Sequence, residues 1–572
     1  MTRIGGQGAA PAWGVFAAAA AAAVVTIAVA ASGTIYSGDE WGILFRIADR
    51  PLSGAVFDPP AGKYLLALPT LAYAALAELF GTDSYVPYRV LGLVLLVLAA
   101  GLFLEFARRR TGYTFALAGA IVLLFLGAAS DVVAIPGRIP SQIAMCAGVG
   151  MLLALDRRDL RGDVAACLLS VVAVTSHPVG LAFLAAGFVR VALDEPARRW
   201  ARAWVVLVPL AVYGLWYLTL YDPIETPGPS FGDVVSFAWE GFVAVCAALA
   251  GVFRAPWTAD VDFLNPWSTL LAVCLLVLGA VAVVRTRRIT PGLLAVVVAL
   301  GVDLIAPAIG PGLNVLRQPT APRYLYPGAI FVLLAAAEVI SARPLDPRFR
   351  PAALVACALV FASALYSNVA YLFDRTDALA AAADTTRSQL GALELAREDE
   401  RALVGALPPE ESVKVMTFLG SPIAPPPDRL PQAAPAYFAI VDEFGSPADT
   451  PAELDGVAQE LKGQADVVLA TALGVELDPE RRVPSRNPSQ SCASLDPDAE
   501  LPPGRVSIQR DGGAQPELLL GRLAAEPTYR LPWPSGARAA SLRLPAAGLG
   551  ERPWRLRAAT SAGAAACPLD PR

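Results

Sequence analysis

Charge is scarce in this chain and histidine almost absent. Of 572 residues, 17% are charged and one is histidine, against roughly a quarter charged in a soluble protein. With 55% hydrophobic residues and a mean hydropathy of +0.53, an ordinary soluble enzyme is excluded and a polytopic membrane protein implied. The net charge of −5 leaves no basic surface for nucleic acid. A single histidine with no cysteine cluster beside it cannot build a His-rich metal site. No Gly-rich Lys-Ser/Thr phosphate loop is present, so nucleotide hydrolysis powers nothing here. No Gly-rich dinucleotide fingerprint follows a strand, no nucleophile is placed for a Ser-His-Asp hydrolase, and no internal repeat is evident.

What charge there is has a pattern. Short basic clusters (Arg108-Arg109-Arg110, Arg157-Arg158, Arg198-Arg199 and Arg285/Arg287/Arg288) lie between apolar runs. Cytoplasmic loops carry an excess of Lys and Arg, so placing every cluster inside predicts about eleven transmembrane helices. They fall near 13–32, 88–107, 113–130, 140–155, 163–176, 178–193, 203–221, 266–285, 291–307, 327–341 and 351–371. The run Val15–Ala31 is long enough to span and lacks a cleavage site, so it reads as a retained first helix. Residues 64–80 and 235–253 are apolar, but crossing there would put Arg clusters on the wrong side. They read instead as segments lying in the outer interface or dipping into it. An odd count with a cytoplasmic N-terminus puts the C-terminal tail outside the plasma membrane, and the long loops 33–87, 131–139, 222–265 and 308–326 with it.

The expected organisation is a membrane domain, 1–372, with a catalytic outer loop at 33–87, and an extracytoplasmic domain, 373–572. Helical spacing continues from Asp374 to Leu407. β-like runs then follow at Val413–Phe418, Tyr437–Val441, Val467–Ala470, Val506–Gln509, Glu517–Leu520, Ala540–Leu544 and Trp554–Ala558, predicting a mixed α/β domain that turns to β at its end. Five cysteines (146, 167, 246, 274 and 357) lie in apolar segments as small buried thiols. Cys492 and Cys567 are the tail's only pair, a candidate disulfide outside the cytoplasm or two unpaired thiols.

The outer loops hold the candidate chemistry. Ser37-Gly38-Asp39-Glu40-Trp41 follows the first apolar run. Ionisable groups at a bilayer boundary are functional candidates, and a carboxylate there suits a base that takes a hydroxyl proton. Alternatively both acids mark the polar end of the first helix, with Asp39 capping a following one, and Trp41 is an interfacial belt residue. Asp39 with Glu40 could hold a divalent cation through oxygen ligands, but no other carboxylate motif calls for one and no metal site is assigned. Lys63 follows Pro59-Pro60, as a phosphate ligand or a snorkelling side chain. Arg89, Arg138, Arg317 and Arg323 run against the positive-inside bias, and guanidinium suits phosphate oxygens; Arg323 beside Tyr324 is the best placed. His177, in Thr175-Ser176-His177-Pro178, is either polar support for a phosphate or sugar or packing at a helix break. Asp131, Asp222, Glu225, Asp233, Asp260 and Asp262 complete the outer acids.

The acidic pair after the first helix, the Pro-Pro stretch with its lysine, and Phe80-Gly81-Thr82-Asp83-Ser84-Tyr85-Val86-Pro87-Tyr88-Arg89 resemble the GT-C superfamily of membrane glycosyltransferases. The nearest branch is that of the protein mannosyltransferases and aminoarabinose transferases. The tail resembles those of actinobacterial cell-wall arabinofuranosyl- and mannosyltransferases. The resemblance covers about 13–155 in detail and 156–371 in architecture. Where the branch carries a lysine before the Pro-Pro pair, this chain has Asp58, and Lys63 comes after. The resemblance implies a polyprenyl-phosphate sugar donor, an extracytoplasmic acceptor (cell-wall glycan, glycolipid or protein) and inversion at the anomeric carbon. It makes Asp39 the base, Glu40 its orienting neighbour, and Lys63, Arg138 and Arg323 the groups neutralising lipid phosphate. The competing readings are a flippase or transporter of a lipid-linked substrate, against which stands the absence of repeated halves, and a non-catalytic envelope scaffold.

Overall fold

The computed structural model describes residues 9–57, 64–221, 228–253, 266–286, 289–309, 318–342, 350–399, 403, 405–421, 425–480, 492–495, 498–510, 515–550, 552–559 and 564–568. The chain divides into two compact units that interleave along the sequence. One holds residues 1–32, 50–79 and 85–378, the other 33–49, 80–84 and 379–572.

The first unit is a bundle of apolar helices. Eight helices among the described residues are long and apolar enough to cross a bilayer, and the pair Tyr113–Leu124 and Gly127–Val133, bent by 44°, makes a ninth. Helices Ile139–Leu155, Leu160–Val174 and Val179–Ala192 are shorter. All eleven expected spans are helical.

Ion pairs give the helix directions. At the C-terminal end of helix Val86–Thr111, Arg110 donates to Glu338 near the end of helix Pro322–Ala342 at 2.6 Å and to Asp156 just past helix Ile139–Leu155 at 3.1 Å. Asp156 also accepts from Arg190, at the end of helix Val179–Ala192, at 2.7 Å. These four helices therefore finish together and run in the same direction. Helix Leu160–Val174 begins at that end, where Arg202 pairs with Asp163 and Asp194, each at 2.7 Å. The Arg-rich turns thus form one ion-paired end of the bundle.

Helix Phe231–Ala250 tests length against contact. A Ser230–Asp233 capping box starts it and Gly251, at φ +73°, ends it. Its 20 residues are long and apolar enough to span a bilayer, and two of its contacts lie toward the opposite end of the bundle. Phe237 meets Tyr324, in the first turn of its helix, at 6.0 Å between rings. The carbonyl of Ala248 accepts from Asn368, whose side-chain oxygen takes the Ala128 N–H. Helix Ala67–Phe80 is likewise tied there, Tyr73 lying 5.5 Å from Tyr88. Both segments were set apart from the spans for the charge they would have misplaced.

In the second unit, residues 33–49 fold with the tail. Helix Asp39–Asp49 packs on helices Pro409–Met416 and Ala434–Phe444. Trp41 is fully buried, donates to the Tyr36 carbonyl at 3.1 Å and meets Tyr437 edge-on. Of the seven runs expected to be strands, the first three are helical: they lie in helices Pro409–Met416, Ala434–Phe444 and Gln459–Ala472. The last four are strands in two antiparallel sheets. With β1 Leu477–Pro479, β2 Ala493–Ser494, β3 Ala499–Leu501, β4 Gly504–Arg510, β5 Leu518–Gly521, β6 Tyr529–Leu531, β7 Ala539–Leu544, β8 Trp554–Ala558 and β9 Ala564–Pro568, the orders are β1-β7-β4-β9-β2 and β3-β8-β5-β6. A disulfide joins Cys492 to Cys567 across the β2–β9 edge.

Candidate active site

Arg89 sits in the first turn of helix Val86–Thr111 and Arg323 in the first turn of helix Pro322–Ala342. Arg138 directly precedes helix Ile139–Leu155, and His177 lies between the antiparallel helices Leu160–Val174 and Val179–Ala192. Since these helices end together at the ion-paired end, their starts place Arg89, Arg138, Arg323, Tyr324 and His177 at the other. Arginines at the first end are matched to carboxylates at 2.6–2.7 Å.

At the second end the chain turns a corner between residues 127 and 138. Gly127 is packed against the backbone of Asn368, where a Cβ would collide with its carbonyl oxygen. Arg89 is buried, its guanidinium 5.5 Å from the Tyr85 ring. It lines a small crevice with Val132–Ile135 and Gln142. Gln142 is buried and donates to the Val132 carbonyl at 2.7 Å, while its Oε1 has no hydrogen-bond partner among the described residues. Arg323 lies half-buried with its guanidinium 5.0 Å from the Tyr324 ring, and its Nε lacks a hydrogen-bond partner among the described residues. A guanidinium group suits phosphate oxygens.

Sequence reasoning missed a fourth cation. Arg375 lies beyond the expected end of the last span, but helix Arg350–Arg397 runs unbroken for 48 residues. The arginine is buried and its Nη2 stands 3.5 Å from Asp131 Oδ1. The signal was the unbroken helical spacing from 351 through 397.

The acids belong to the second unit. Asp39 opens helix Asp39–Asp49 and is half-buried; Glu40 is fully buried, its Oε2 accepting the Ser37 N–H at 2.9 Å. Glu40 therefore closes its own turn, and Asp39, one residue earlier, sits at the more accessible position. His177 Nδ1 accepts the Val179 N–H at 3.3 Å and its ring meets Tyr64 at 5.5 Å. Asp233 serves the Ser230 capping box. Lys63, Asp222, Glu225, Asp260, Asp262 and Arg317 lie outside the described residues. Among the described residues no group of three His, Cys, Asp or Glu side chains could hold a metal.

No protein-family profile matches the chain, and no curated protein sequence matches it. Among solved structures it is similar to ArnT from Cupriavidus metallidurans bound to undecaprenyl phosphate, with a TM-score of 0.40 and 16% identity over 81% of this chain and 85% of that one. The apo state of the same protein gives a TM-score of 0.41 at 16% identity, over 82% and 85% of the two chains.

Proposed function

We propose that this chain is a membrane glycosyltransferase of the GT-C kind, moving a sugar from a polyprenyl-phosphate donor to an acceptor hydroxyl outside the cytoplasm. The observation that supports it best is the placement of Arg89, Arg138 and Arg323 at helix starts on the end of the bundle opposite the ion-paired one. In this reading the acceptor oxygen forms a bond to the anomeric carbon from the face opposite the phosphate. The bond from that carbon to the phosphate oxygen breaks with its electron pair, and polyprenyl phosphate departs. Asp39 accepts the hydroxyl proton as attack proceeds, and the turn closed by Glu40 sets the direction of Asp39. Arg89, Arg138, Arg323 and Lys63 stabilise charge on the departing phosphate, with Tyr324 beside Arg323. The donor lipid enters from the bilayer and the acceptor from outside; no bound metal is assigned a role. The acceptor is a glycan, glycolipid or protein of the envelope.

Asp39→Asn keeps the shape of the first helical turn and removes the proton acceptor. In purified full-length protein supplied with polyprenyl-phosphate sugars, transfer is expected to fall by about a hundredfold or more with the melting temperature unchanged. Undiminished transfer would remove Asp39 from the chemistry.

A further inference from the structure

Asp303 is a carboxylate inside helix Pro291–Ile309, which is long and apolar enough to cross a bilayer. Ionisable side chains in such segments are costly to keep and mark functional positions. Among the described residues the Asp303 carboxylate makes no hydrogen bond and no ion pair.

Neighbouring contacts place it. A Cβ added to Gly292, in the first turn of this helix, would stand 2.5 Å from Glu338 Oε1, near the end of helix Pro322–Ala342. The two helices therefore run antiparallel, with Gly292 on the facing side. Asp303 comes about three turns later, within roughly 20° of the same face at 100° per residue. A Cβ added to Gly241 would meet Leu304 at 3.3 Å and the Pro319 carbonyl oxygen at 3.7 Å, and Phe237, one turn earlier, meets Tyr324. Asp303 thus faces the first turns of helix Pro322–Ala342, which carry Arg323 and Tyr324. The stripe that is buried at Gly292, Val296 and Ala299 becomes partly accessible at Asp303, and residues 321–324 opposite are half-buried as well. The helix pair parts here into a recess. Arg323 Nε is buried in it without a hydrogen-bond partner, and among the described residues no ion pair joins Arg323 to Asp303.

A guanidinium and a carboxylate that leave each other unpaired fit a molecule anionic at one point and hydroxyl-bearing a turn away. Phosphate oxygens match the first, and hydroxyls donate charge-assisted hydrogen bonds to the second. We infer that Asp303 is a sugar-recognising residue of the donor site, accepting hydrogen bonds from hydroxyls of the sugar whose phosphate Arg323 engages. The inference rests on the donor reading above and adds to it the residue that reads the sugar.

The test is equilibrium binding to the full-length protein in detergent. Undecaprenyl phosphate lacks the sugar, its mannose and arabinose esters carry one, and undecaprenol controls for the lipid alone. The unaltered protein should bind at least one ester more tightly than undecaprenyl phosphate. Asp303→Asn is expected to weaken that ester by about tenfold, the worth of one charge-assisted contact, and to leave undecaprenyl phosphate unchanged. Arg323→Gln, which reads the phosphate, should weaken both alike. Melting temperatures accompany each variant. If Asp303→Asn does not fold, Asp303→Glu, which keeps the charge and moves it by one methylene, carries the test with the same selective loss expected. Unchanged binding of the ester overturns the inference. So does equal weakening of ester and undecaprenyl phosphate, the pattern of a structural carboxylate. If neither ester exceeds undecaprenyl phosphate in the unaltered protein, the new assignment falls alone. If undecaprenyl phosphate binds no better than undecaprenol, the donor reading falls with it.

Discussion

Asp466 is a carboxylate held inside the second unit by backbone donors. Its oxygens accept the consecutive N–H groups of Arg522, Leu523 and Ala524 at 2.8–2.9 Å. Burial pushes its carboxyl up to about 6, outweighing those donors and the charge of Arg552. The folded chain therefore holds this proton more tightly than the unfolded one, whose carboxyl titrates near 4. Its contribution is complete below that lower value and is lost as pH rises through about 6, a step of about 3 kcal/mol at most. Thermal unfolding of the second unit should show stability declining between pH 4 and 6 relative to Asp466→Asn, in which that decline is absent. Residue by residue, other assignments were legible only in part. Trp41, at the end of an apolar run, read equally as an interfacial belt residue, because nothing local announces that Tyr437 lies against it. The two acids were visible as a pair, but their different burial was not. It depends on which carboxylate accepts the Ser37 N–H, a matter of side-chain direction.

At the scale of elements, the errors lie where periodicity is short. Val413–Phe418, Tyr437–Val441 and Val467–Ala470 are runs of four to six residues, too brief to separate a strand from one buried face of a helix. In each case the flanks decided. Pro409 starts one helix, Pro435 lies in the first turn of the next, and Ala465, Ala470 and Ala472 favour the last. The strands read correctly, such as Ala539–Leu544, alternate inward and outward residues over most of their length. Helix Phe231–Ala250 shows the converse: the balance of charge in the loops argued against a span, whereas its length and apolarity are those of one. Asn368 is the element-scale feature that no pattern announced, since one asparagine in a long apolar helix has no periodicity of its own. Asn368→Leu should leave the Ala128 N–H and the Ala248 carbonyl buried without their partner. A loss of about 2–4 kcal/mol is expected, measurable as a lowered melting temperature in detergent, with the corner at 127–138 loosened first.

At the scale of the whole molecule, the multi-pass membrane class and the helical bundle were legible, because hydropathy and scarcity of charge are sums over hundreds of residues and tolerate local error. The pairing of helix ends was not, since it depends on contacts such as Arg110–Glu338 between residues 228 positions apart. The disulfide is likewise long-range, closing a separation of 75 residues around the two sheets. Loop closure of that size is worth about 4 kcal/mol in the chain-entropy account. Reduction of the full-length protein should therefore lower the unfolding temperature of the sheet-bearing unit while leaving helix content in the bundle unchanged, as circular dichroism would report.

The burial of Trp41 against Tyr437 reaches into the order of synthesis. The ribosome completes residues 33–49 some 390 positions before the partner that encloses them, so this segment waits through the making of nearly every later helix. A nascent or prematurely terminated chain that stops short of helix Ala434–Phe444 leaves Trp41 without the Tyr437 ring it packs against.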